Sequence, residues 1–196
     1  MSRKIYNRIK NQTEYLEGEN VALRLLDEND INGRYLSWLN DREVTRFTET
    51  GIFPTSITEL KGYYKRISGS RNDVMFAIVI RKNNVHIGNI KLGGINWIHR
   101  HADLGIMIGE KKYWGKGFGE EACRLLLGYA FKMLNLNKVI LGVYGNHEAG
   151  MRTYQKAHFT VEGRLRDYYN CNGKFVDKVI MGISKKTFDK NISKHE

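Results

Sequence analysis

The chain of 196 residues contains a single proline, Pro54, and only two cysteines, Cys123 and Cys171. The cysteines lie far apart in unrelated contexts, so their spacing predicts neither a disulfide framework nor a metal site. We expect two reduced, unreactive thiols and no bound metal. With proline nearly absent, glycine and asparagine must supply the turns.

Long apolar runs are also missing from the sequence. No segment approaches the roughly 20 apolar residues that span a bilayer, and the first residues lack the apolar core of a signal peptide. These absences predict a cytoplasmic protein without membrane association. The length suits one domain, expected at residues 18–184 between a basic leader at 1–17 and a tail at 185–196.

Acidic side chains are scarce, because 21 aspartates and glutamates face 32 lysines and arginines and leave a net charge of +11. A basic surface suits a phosphorylated ligand, although an excess that only aids solubility is the competing interpretation. No helix carries clustered arginines and lysines, and no aromatic RNA-binding signature is present. The sequence therefore does not predict a nucleic-acid partner.

Hydrophobic periodicity predicts an α+β (mixed α/β) fold, with a mixed sheet of about seven strands flanked by about four helices. Asn83–Asn84 and Asn172–Gly173 each separate two strand patterns and predict hairpin turns. The predicted strands are residues 21–26, 74–80, 85–95, 102–109, 138–144, 159–169 and 175–183. The predicted helices are residues 31–40, 56–67, 148–157 and a long one that ends near Leu134.

The stretch YWGKGFGEEACRLL, residues 113–126, places Gly115, Gly117 and Gly119 directly before a helical pattern. A helix start has unpaired N–H groups and a partial positive charge, and glycines let an anion approach them closely. The stretch therefore predicts a phosphate cradle, to which Lys116 adds a cation. It matches neither the dinucleotide-binding nor the P-loop spacing. A glycine-rich turn without a ligand is the competing interpretation.

Two segments together resemble the GNAT acyltransferases. YWGKGFGEEA resembles the family's cofactor motif, Gln/Arg-x-x-Gly-x-Gly/Ala, with Trp114 in place of the usual first residue. That tryptophan is frequent in the branch of the ribosomal-protein alanine acetyltransferases. NHEAGMRTYQKAHF, residues 146–159, resembles the family's second conserved segment, with His158 where glycine is usual. The resemblance covers residues 21–183 and implies the GNAT fold.

The resemblance implies that acetyl-CoA is the co-substrate and lies between two parallel strands that diverge, here residues 104–108 and 139–144. A backbone N–H near Ile106 or Met107 would stabilise the oxyanion. Asn146 would bond the cofactor, or it would cap the following helix. The implied cofactor-binding residues are Ile106, Met107, Ile108, Trp114, Gly115, Lys116, Gly117, Phe118, Gly119, Glu120, Asn146 and Tyr154.

The same resemblance gives Tyr154 the role of general acid for the leaving thiolate, and a tyrosine that packs in the core is the competing interpretation. Asp103 is the leading candidate for the base that takes the amine proton, although a solvated strand-end carboxylate fits the sequence equally well. His101 and His99 are alternatives that would relay protons through water. Glu110 is a weaker candidate.

The segment at residues 35–49 resembles GNAT enzymes that acetylate nucleotide-linked amino sugars for surface glycans. Trp38, Arg42, Glu43 and Arg100 are therefore expected to bind the acceptor. Arg42, Arg46 and Arg100 would contact its phosphates, and solvated surface arginines are the competing interpretation. The expected function is transfer of an acetyl group from acetyl-CoA to that amine. A protein N-terminal acetyltransferase and a non-catalytic CoA-binding module are the alternatives. Pairing of the C-terminal hairpin between two copies would give a homodimer.

Overall fold

The computed structural model describes residues 15–192, so residues 1–14 of the predicted leader lie outside the described part. The described strands form one sheet in the order β1-β2-β3-β4-β5-β6-β8-β7. They are β1 (Leu16–Glu17), β2 (Val21–Leu25), β3 (Val74–Ile80), β4 (Val85–Asn96), β5 (His101–Ile108), β6 (Lys138–Tyr144), β7 (Thr160–Cys171) and β8 (Lys174–Ser184). The described α-helices are α1 (Glu28–Ile31), α2 (Tyr35–Leu39), α3 (Ile57–Ser68), α4 (Phe118–Gly128), α5 (Glu148–Lys156) and α6 (Lys185–Ile192).

The predicted mixed sheet is confirmed. Neighbouring strands pair antiparallel except β5 and β6, which run parallel. The described sheet has eight strands rather than about seven, because Leu16 and Glu17 pair with Leu23 and Ala22 where the leader was expected. This short edge strand belongs to the domain.

The helix predicted over residues 31–40 is wrong in its extent. Asp27 begins a helix earlier, because its side chain accepts the N–H of Asp30 while the Asp30 carboxylate accepts the N–H of Asp27. That helix ends at Ile31 with Asn32 as its C-cap, and a second one starts at Tyr35. With α6 in the predicted tail, the described part of the chain has six α-helices instead of about four.

Two apolar clusters cover the two faces of the sheet. On one face α4 and its π-helical continuation, Tyr129–Met133, bury Ala122, Leu126 and Phe131 against β4, β5, β6 and β8. On the other face the short helices and α3 bury Trp38 and Leu60 against β2 and β3. Burial of a large apolar side chain contributes about 1.5–3 kcal/mol, so these faces hold the sheet between two helical layers.

Candidate active site

β5 and β6 separate soon after they begin to pair. Their parallel register covers only His101 to Asp103 on β5, opposite Lys138 to Ile140 on β6. Both strands continue beyond these pairs, β5 to Ile108 and β6 to Tyr144. The two strands therefore leave an open gap in the middle of the sheet, as predicted, and peptide groups that face it have no strand partner.

The pairing of β4 with β5 decides which peptide groups face the gap. Gly109 N–H donates to Ile87 C=O. Met107 lies two residues before Gly109 on β5, and the antiparallel register pairs it with Asn89 on β4. Because hydrogen-bonding direction alternates along a strand, the peptide groups of Met107 point to β4. Those of Ile106 and Ile108 point into the gap. The N–H available there belongs to Ile106 rather than Met107.

The predicted glycine turn leads directly into α4. Gly115 and Gly117 have φ of +71° and +83°, a conformation that L-residues with a side chain adopt rarely. Gly117 is the N-cap of α4, and no side chain caps this end. The first N–H groups of the helix are therefore available to an anion. Gly119 has ordinary helical geometry, and a Cβ there would make normal contact with Thr153 at 3.6 Å.

Trp114 occupies the first position of the glycine motif and contacts the end of β5. Its indole Nε1 donates a 2.7 Å hydrogen bond to the C=O of Ile108, one of the groups that face the gap. The ring is 39% exposed. It thus joins the glycine turn to β5 and forms part of the wall between them.

A cleft of about 660 Å³ follows the gap from β5 and β6 to the start of α4. This gap cleft is lined by every residue predicted to bind the cofactor, since Ile106, Met107, Ile108, residues 113–120, Asn146 and Tyr154 all contribute to its walls. Its volume lies within the usual range for ligand sites, roughly 300–1,000 Å³. The sequence-based set is therefore brought together by the fold.

Tyr154 lies on α5 at the inner end of the gap cleft. Its ring packs edge-on against Phe159, with centroids 6.0 Å apart. Burial, assisted by the nearby Cys123 thiol, raises the pKa of the Tyr154 hydroxyl well above its ordinary value. The hydroxyl therefore stays protonated at neutral pH.

Asn146 does not cap α5. The N-cap is His147, which has no side-chain capping bond, and the Asn146 amide instead donates to Cys171 Sγ at 3.6 Å. The alternative interpretation of Asn146 as a helix cap is thus wrong. At the other end of this helix, His158 has φ of +68°, the left-handed turn in which the related motif has glycine.

A second cavity of about 580 Å³ lies on the opposite face of β5. This loop cavity is bounded by α2, α3, the loop at residues 48–55 and strands β3 to β5. It shares Thr48, Ile106 and Met107 with the gap cleft, so the two spaces meet at β5. Its polar lining consists of Tyr35, Thr48, Glu49, Thr50, Thr55, Glu59, Tyr63, Asn89 and Lys91.

Two of the predicted acceptor and proton-transfer residues lie away from both spaces. Arg100 has its guanidinium Nε 2.9 Å from the Asn135 C=O, in the turn before β6. His101 begins β5, where the strands still pair, and stacks near His99 with ring centroids 6.4 Å apart. Strands rise about 3.3 Å per residue, so His101 lies roughly 16 Å from Ile106, and neither prediction places its residue correctly.

Asp103 is exposed and lies where β5 and β6 stop pairing. It lines neither space, but Gly105, two residues further along the same face of β5, lines the loop cavity. Asp103 therefore lies close to the loop cavity without lining it. Its role as a base stays a prediction.

Trp38 and Glu110 are structural rather than exposed to a ligand. Trp38 is only 3% exposed, and its Nε1 donates to the Glu110 carboxylate at 2.9 Å. The Arg34 side chain, which is largely exposed, reaches the same carboxylate with Nε 2.7 Å away. The prediction that Trp38 binds an acceptor is therefore wrong, and Glu110 is committed to Trp38 and Arg34.

Arg42 and Glu43 lie on the loop after α2. Arg42 is exposed and lines neither space, which contradicts its predicted contact with the acceptor. Glu43 lines the gap cleft rather than the loop cavity, and its carboxylate pairs with Lys111 at 2.7 Å. Only Glu43 of this pair therefore belongs to a site.

The residues that line the two spaces but were not singled out in the sequence include Phe47, Thr48, Glu49 and His147. Thr48 and Glu49 line the loop cavity, and Phe47 lines the gap cleft stacked on His147 at 4.0 Å between ring centroids. Burial, with the nearby Arg46 charge, lowers the pKa of His147 to about 4. The segment at residues 35–49 resembles an acceptor region, but nothing local distinguishes these positions within it.

The residues present fit an acyl-CoA. The gap offers unpaired peptide groups to the amides of the pantetheine arm, and the uncapped start of α4 offers N–H groups to a diphosphate. Residues 15–192 contain no cluster of three or more His, Cys, Asp or Glu side chains arranged to hold a metal ion. No helix in the same range is long and apolar enough to cross a bilayer.

A mixed sheet with diverging parallel strands, and a glycine turn before the helix that follows, define a class of enzymes that transfer acyl groups from coenzyme A. Residues 20–160 match the model of the family described as "Acetyltransferase (GNAT) domain". The chain belongs to this family. It is an N-acetyltransferase that uses acetyl-CoA as its co-substrate.

Curated relatives include the spermidine N(1)-acetyltransferase of Escherichia coli K12, which is 31% identical over 83% of this chain and 85% of its own length. An uncharacterised N-acetyltransferase, p20 of Bacillus licheniformis, is 27% identical over 89% of this chain and 98% of its own. The crystal structure of Vibrio cholerae spermidine N-acetyltransferase with CoA and spermine has a TM-score of 0.79 at 26% identity. The match between the two structures covers 87% of this chain and 99% of the Vibrio cholerae chain. The family expectation is confirmed. The relatives named here with a substrate are spermidine acetyltransferases, so membership of the ribosomal-protein or amino-sugar branch is not shown.

Proposed function

We propose that acetyl-CoA lies along the gap cleft, with its diphosphate on the N–H groups at residues 117–120 of the α4 start. Acetyl-CoA supplies the activated acyl group. Two features support this placement, the positive φ of Gly117 and the absence of a side-chain cap on α4. The peptide N–H of Ile106, which faces the gap, is the donor for the oxyanion that develops on the acyl carbonyl.

Tyr154 is proposed as the general acid that protonates the leaving thiolate. Its hydroxyl stays protonated because burial raises its pKa, and an acid must hold its proton until the bond to sulfur breaks. Its position on the wall of the gap cleft gives it access to the reacting atoms.

Glu49 is proposed as the carboxylate that receives the acceptor's ammonium group and takes its proton, so that a neutral amine attacks the acyl carbon. It follows Thr48, which lines both spaces at their junction, and it makes no ion pair among residues 15–192. Asp103, two residues before Gly105 on β5, is the alternative base.

The acceptor proposed for the loop cavity is the amine of a nucleotide-linked amino sugar. The observation that carries this proposal is the lining, in which five hydroxyl groups, the Asn89 amide and the Lys91 ammonium accompany the tyrosine rings. Sugar hydroxyls and phosphates need such partners. One of the two carboxylates is already engaged, since Glu59 accepts the N–H of Ser56 at 2.7 Å.

A polyamine is the second candidate acceptor, and the relatives favour it. The matching proteins of Escherichia coli and Vibrio cholerae are both spermidine N-acetyltransferases. Glu49 and Glu59 both line the loop cavity and would attract a polycation. An aliphatic polyamine and an amino sugar therefore have to be compared directly.

A thiol-release assay with acetyl-CoA tests the proposed function. The acceptor panel contains UDP- and dTDP-linked amino sugars, spermidine, spermine and peptides with free N-termini. Turnover with an amino sugar supports the proposal, whereas turnover with spermidine alone favours the second candidate. Turnover with peptides alone identifies an N-terminal acetyltransferase. Silence across the panel while CoA still binds would instead indicate a non-catalytic module.

A further inference from the structure

Lys178 crosses β6 beside the gap. β8 pairs Lys178 with Tyr144 and Ile180 with Gly142. A Cβ on Gly142 would overlap Lys178 Cε and lie 3.3 Å from Nζ, so the lysine stem runs directly over this glycine. Gly142 lines the gap cleft. The strand glycine thus lets the lysine stem lie across β6 beside the gap cleft, whose lining includes Gly142 but not Lys178 itself.

Lys91 has the matching position on the other side of the gap. It lies opposite Gly105 on β5, where a Cβ would be 3.5 Å from Lys91 Cε. The last parallel pair joins Asp103 to Ile140, so Gly105 and Gly142 are each two residues further along. The Lys91 and Lys178 stems therefore lie over the two diverging strands at the same level, and Lys91 Nζ lies 3.5 Å from the place that a Cβ on Gly93 would take, on its own strand β4.

Neither ammonium is neutralised by a carboxylate within the described residues. Lys178 Nζ lies 4.9 Å and 5.8 Å from the ring centroids of Tyr168 and Tyr169, and Lys91 Nζ lies 5.9 Å from that of Tyr63. By contrast, Lys138 pairs with Glu162. Two lysines beside the gap thus keep their positive charge available.

Carboxylates near the two lysines include Asp73, Asp103 and Glu49, and Asp103 lies opposite Gly93 on the face of β5 that Lys91 covers. Asp73 is near Lys91, but it accepts from Ser70 Oγ at 2.7 Å and from Gly94 N–H at 3.3 Å. Glu49 faces the Tyr169 hydroxyl from the loop: burial raises the pKa of Tyr169, Glu49 adds to the rise, and the Lys178 ammonium opposes it. Two cations and the carboxylates of Glu49 and Asp103 therefore lie around the place where the acceptor would approach.

We propose that Lys178 and Lys91 form an anion-binding site on the acceptor side of the gap, which holds a phosphate or diphosphate group carried by the amine substrate. The proposal rests on the proposed function and selects between its two candidates. Ammonium groups bind phosphate as point charges, and Glu49 is left for the substrate's own ammonium. A polyamine carries only positive charges and would be repelled by both lysines.

Calorimetric titration of the CoA-saturated enzyme with inorganic diphosphate tests this site, because CoA occupies the phosphate seat at α4. Wild-type protein should bind diphosphate, and Lys178→Met and Lys91→Met should each weaken binding about tenfold, as expected for loss of one charge-assisted bond. Methionine keeps the stem over the glycine but removes the charge. Lys178→Arg should retain binding, and Lys174→Met on the same hairpin is the matched control.

A parallel titration with spermidine distinguishes a charge effect from a damaged fold. Removal of Lys178's charge should leave spermidine binding unchanged or tighter while it weakens diphosphate binding. No diphosphate binding to the wild-type CoA complex, or wild-type affinity in both methionine variants, overturns the proposal. If the wild-type protein fails to bind CoA at all, the proposed function fails first, and a separate CoA titration detects that result.

Discussion

At the scale of single residues, Tyr154 and Tyr64 differ in their surroundings and in the role that we expect for their hydroxyl groups. Tyr154 lines the gap cleft, with a hydroxyl whose pKa burial raises. Tyr64 lies on α3, outside both spaces, and donates to the Leu26 C=O at 3.3 Å. The same side chain therefore lines the proposed active site in one place and has a structural role in the other.

We predict that Tyr154→Phe lowers kcat about 10²-fold, the low end for loss of a positioned acid, with little change in KM for acetyl-CoA. Steady-state kinetics by thiol release measure both constants. Tyr64→Phe is the control and should leave kcat unchanged. A Tyr154→Phe enzyme as fast as wild type would remove this hydroxyl from the reaction.

Glu49 and Asp103 make a second residue-scale comparison, because only Glu49 lines the loop cavity. We predict that Glu49→Gln lowers kcat/KM for the amine about 10²-fold, whereas Asp103→Asn changes it little. The pH profile of kcat/KM should lose its acidic limb only in the glutamine variant. The reverse result would assign the base to Asp103.

At the scale of elements, glycines in α3 and before α4 have opposite roles. Gly117 has φ of +83°, and nothing lies within 4 Å of the place its Cβ would take. Gly62 lies inside α3 with equally open space and ordinary helical backbone. Conformation alone, without any steric clash, therefore distinguishes the two positions.

Gly117→Ala should lower the free energy of unfolding by about 1 kcal/mol, because alanine is strained in the left-handed conformation. Gly62→Ala should raise it by about 0.5–1 kcal/mol, because alanine loses less entropy in a helix. Urea denaturation measures both values. Equal effects of the two substitutions would contradict the assignment of Gly117 to the helix cap.

At the scale of the whole molecule, a buried ion pair joins β2 to α1 below the loop cavity. Arg24 and Asp30 are each 5% exposed and form two hydrogen bonds, of 2.7 and 2.8 Å. Burial by itself raises the pKa of Asp30, but bonds from Arg24 and His86 outweigh it, and the pKa falls well below 3.8. The carboxylate therefore stays ionised throughout the neutral range.

Removal of one partner should leave the other charge buried and uncompensated. We predict that Asp30→Asn lowers the free energy of unfolding by about 3–5 kcal/mol at pH 7. Asp41→Asn is the control, since Asp41 pairs with Lys111 at the surface, where screening makes a pair weak. If urea denaturation shows only a small change in the free energy of unfolding of Asp30→Asn, water must instead solvate the Arg24 charge.

His147 predicts a separate dependence of stability on pH. Its folded-state pKa of about 4 lies below the ordinary 6.5, so the fold favours the neutral ring. The resulting stabilisation is complete above pH 6.5 and is lost as the pH falls towards 4. His147→Phe preserves a ring against Phe47, and its Tm should fall less across this window. Asp30 affects stability only at lower pH, below its ordinary value of 3.8.

Local patterns were sufficient to predict most elements. The bounds of β3 and β6 match the predicted ranges, and the turns at Asn83–Asn84 and Asn172–Gly173 separate paired strands. The residues proposed to bind the cofactor could be grouped from the sequence, because the glycine turn and the segment with Tyr154 are each contiguous, and the fold places both groups in the gap cleft. Strand and helix periodicities and turn residues are short-range properties, and a sequence displays them directly.

The sequence by itself determined the family, the order of the strands along the chain and the walls of the gap cleft. Only the tertiary structure decided that Glu49 lines the loop cavity, that Trp38 is buried with Glu110, and that the stems of Lys91 and Lys178 lie over Gly105 and Gly142. The physical reason is distance along the chain. These residues meet through strand register and loop packing, and neither of these is encoded in any single short segment.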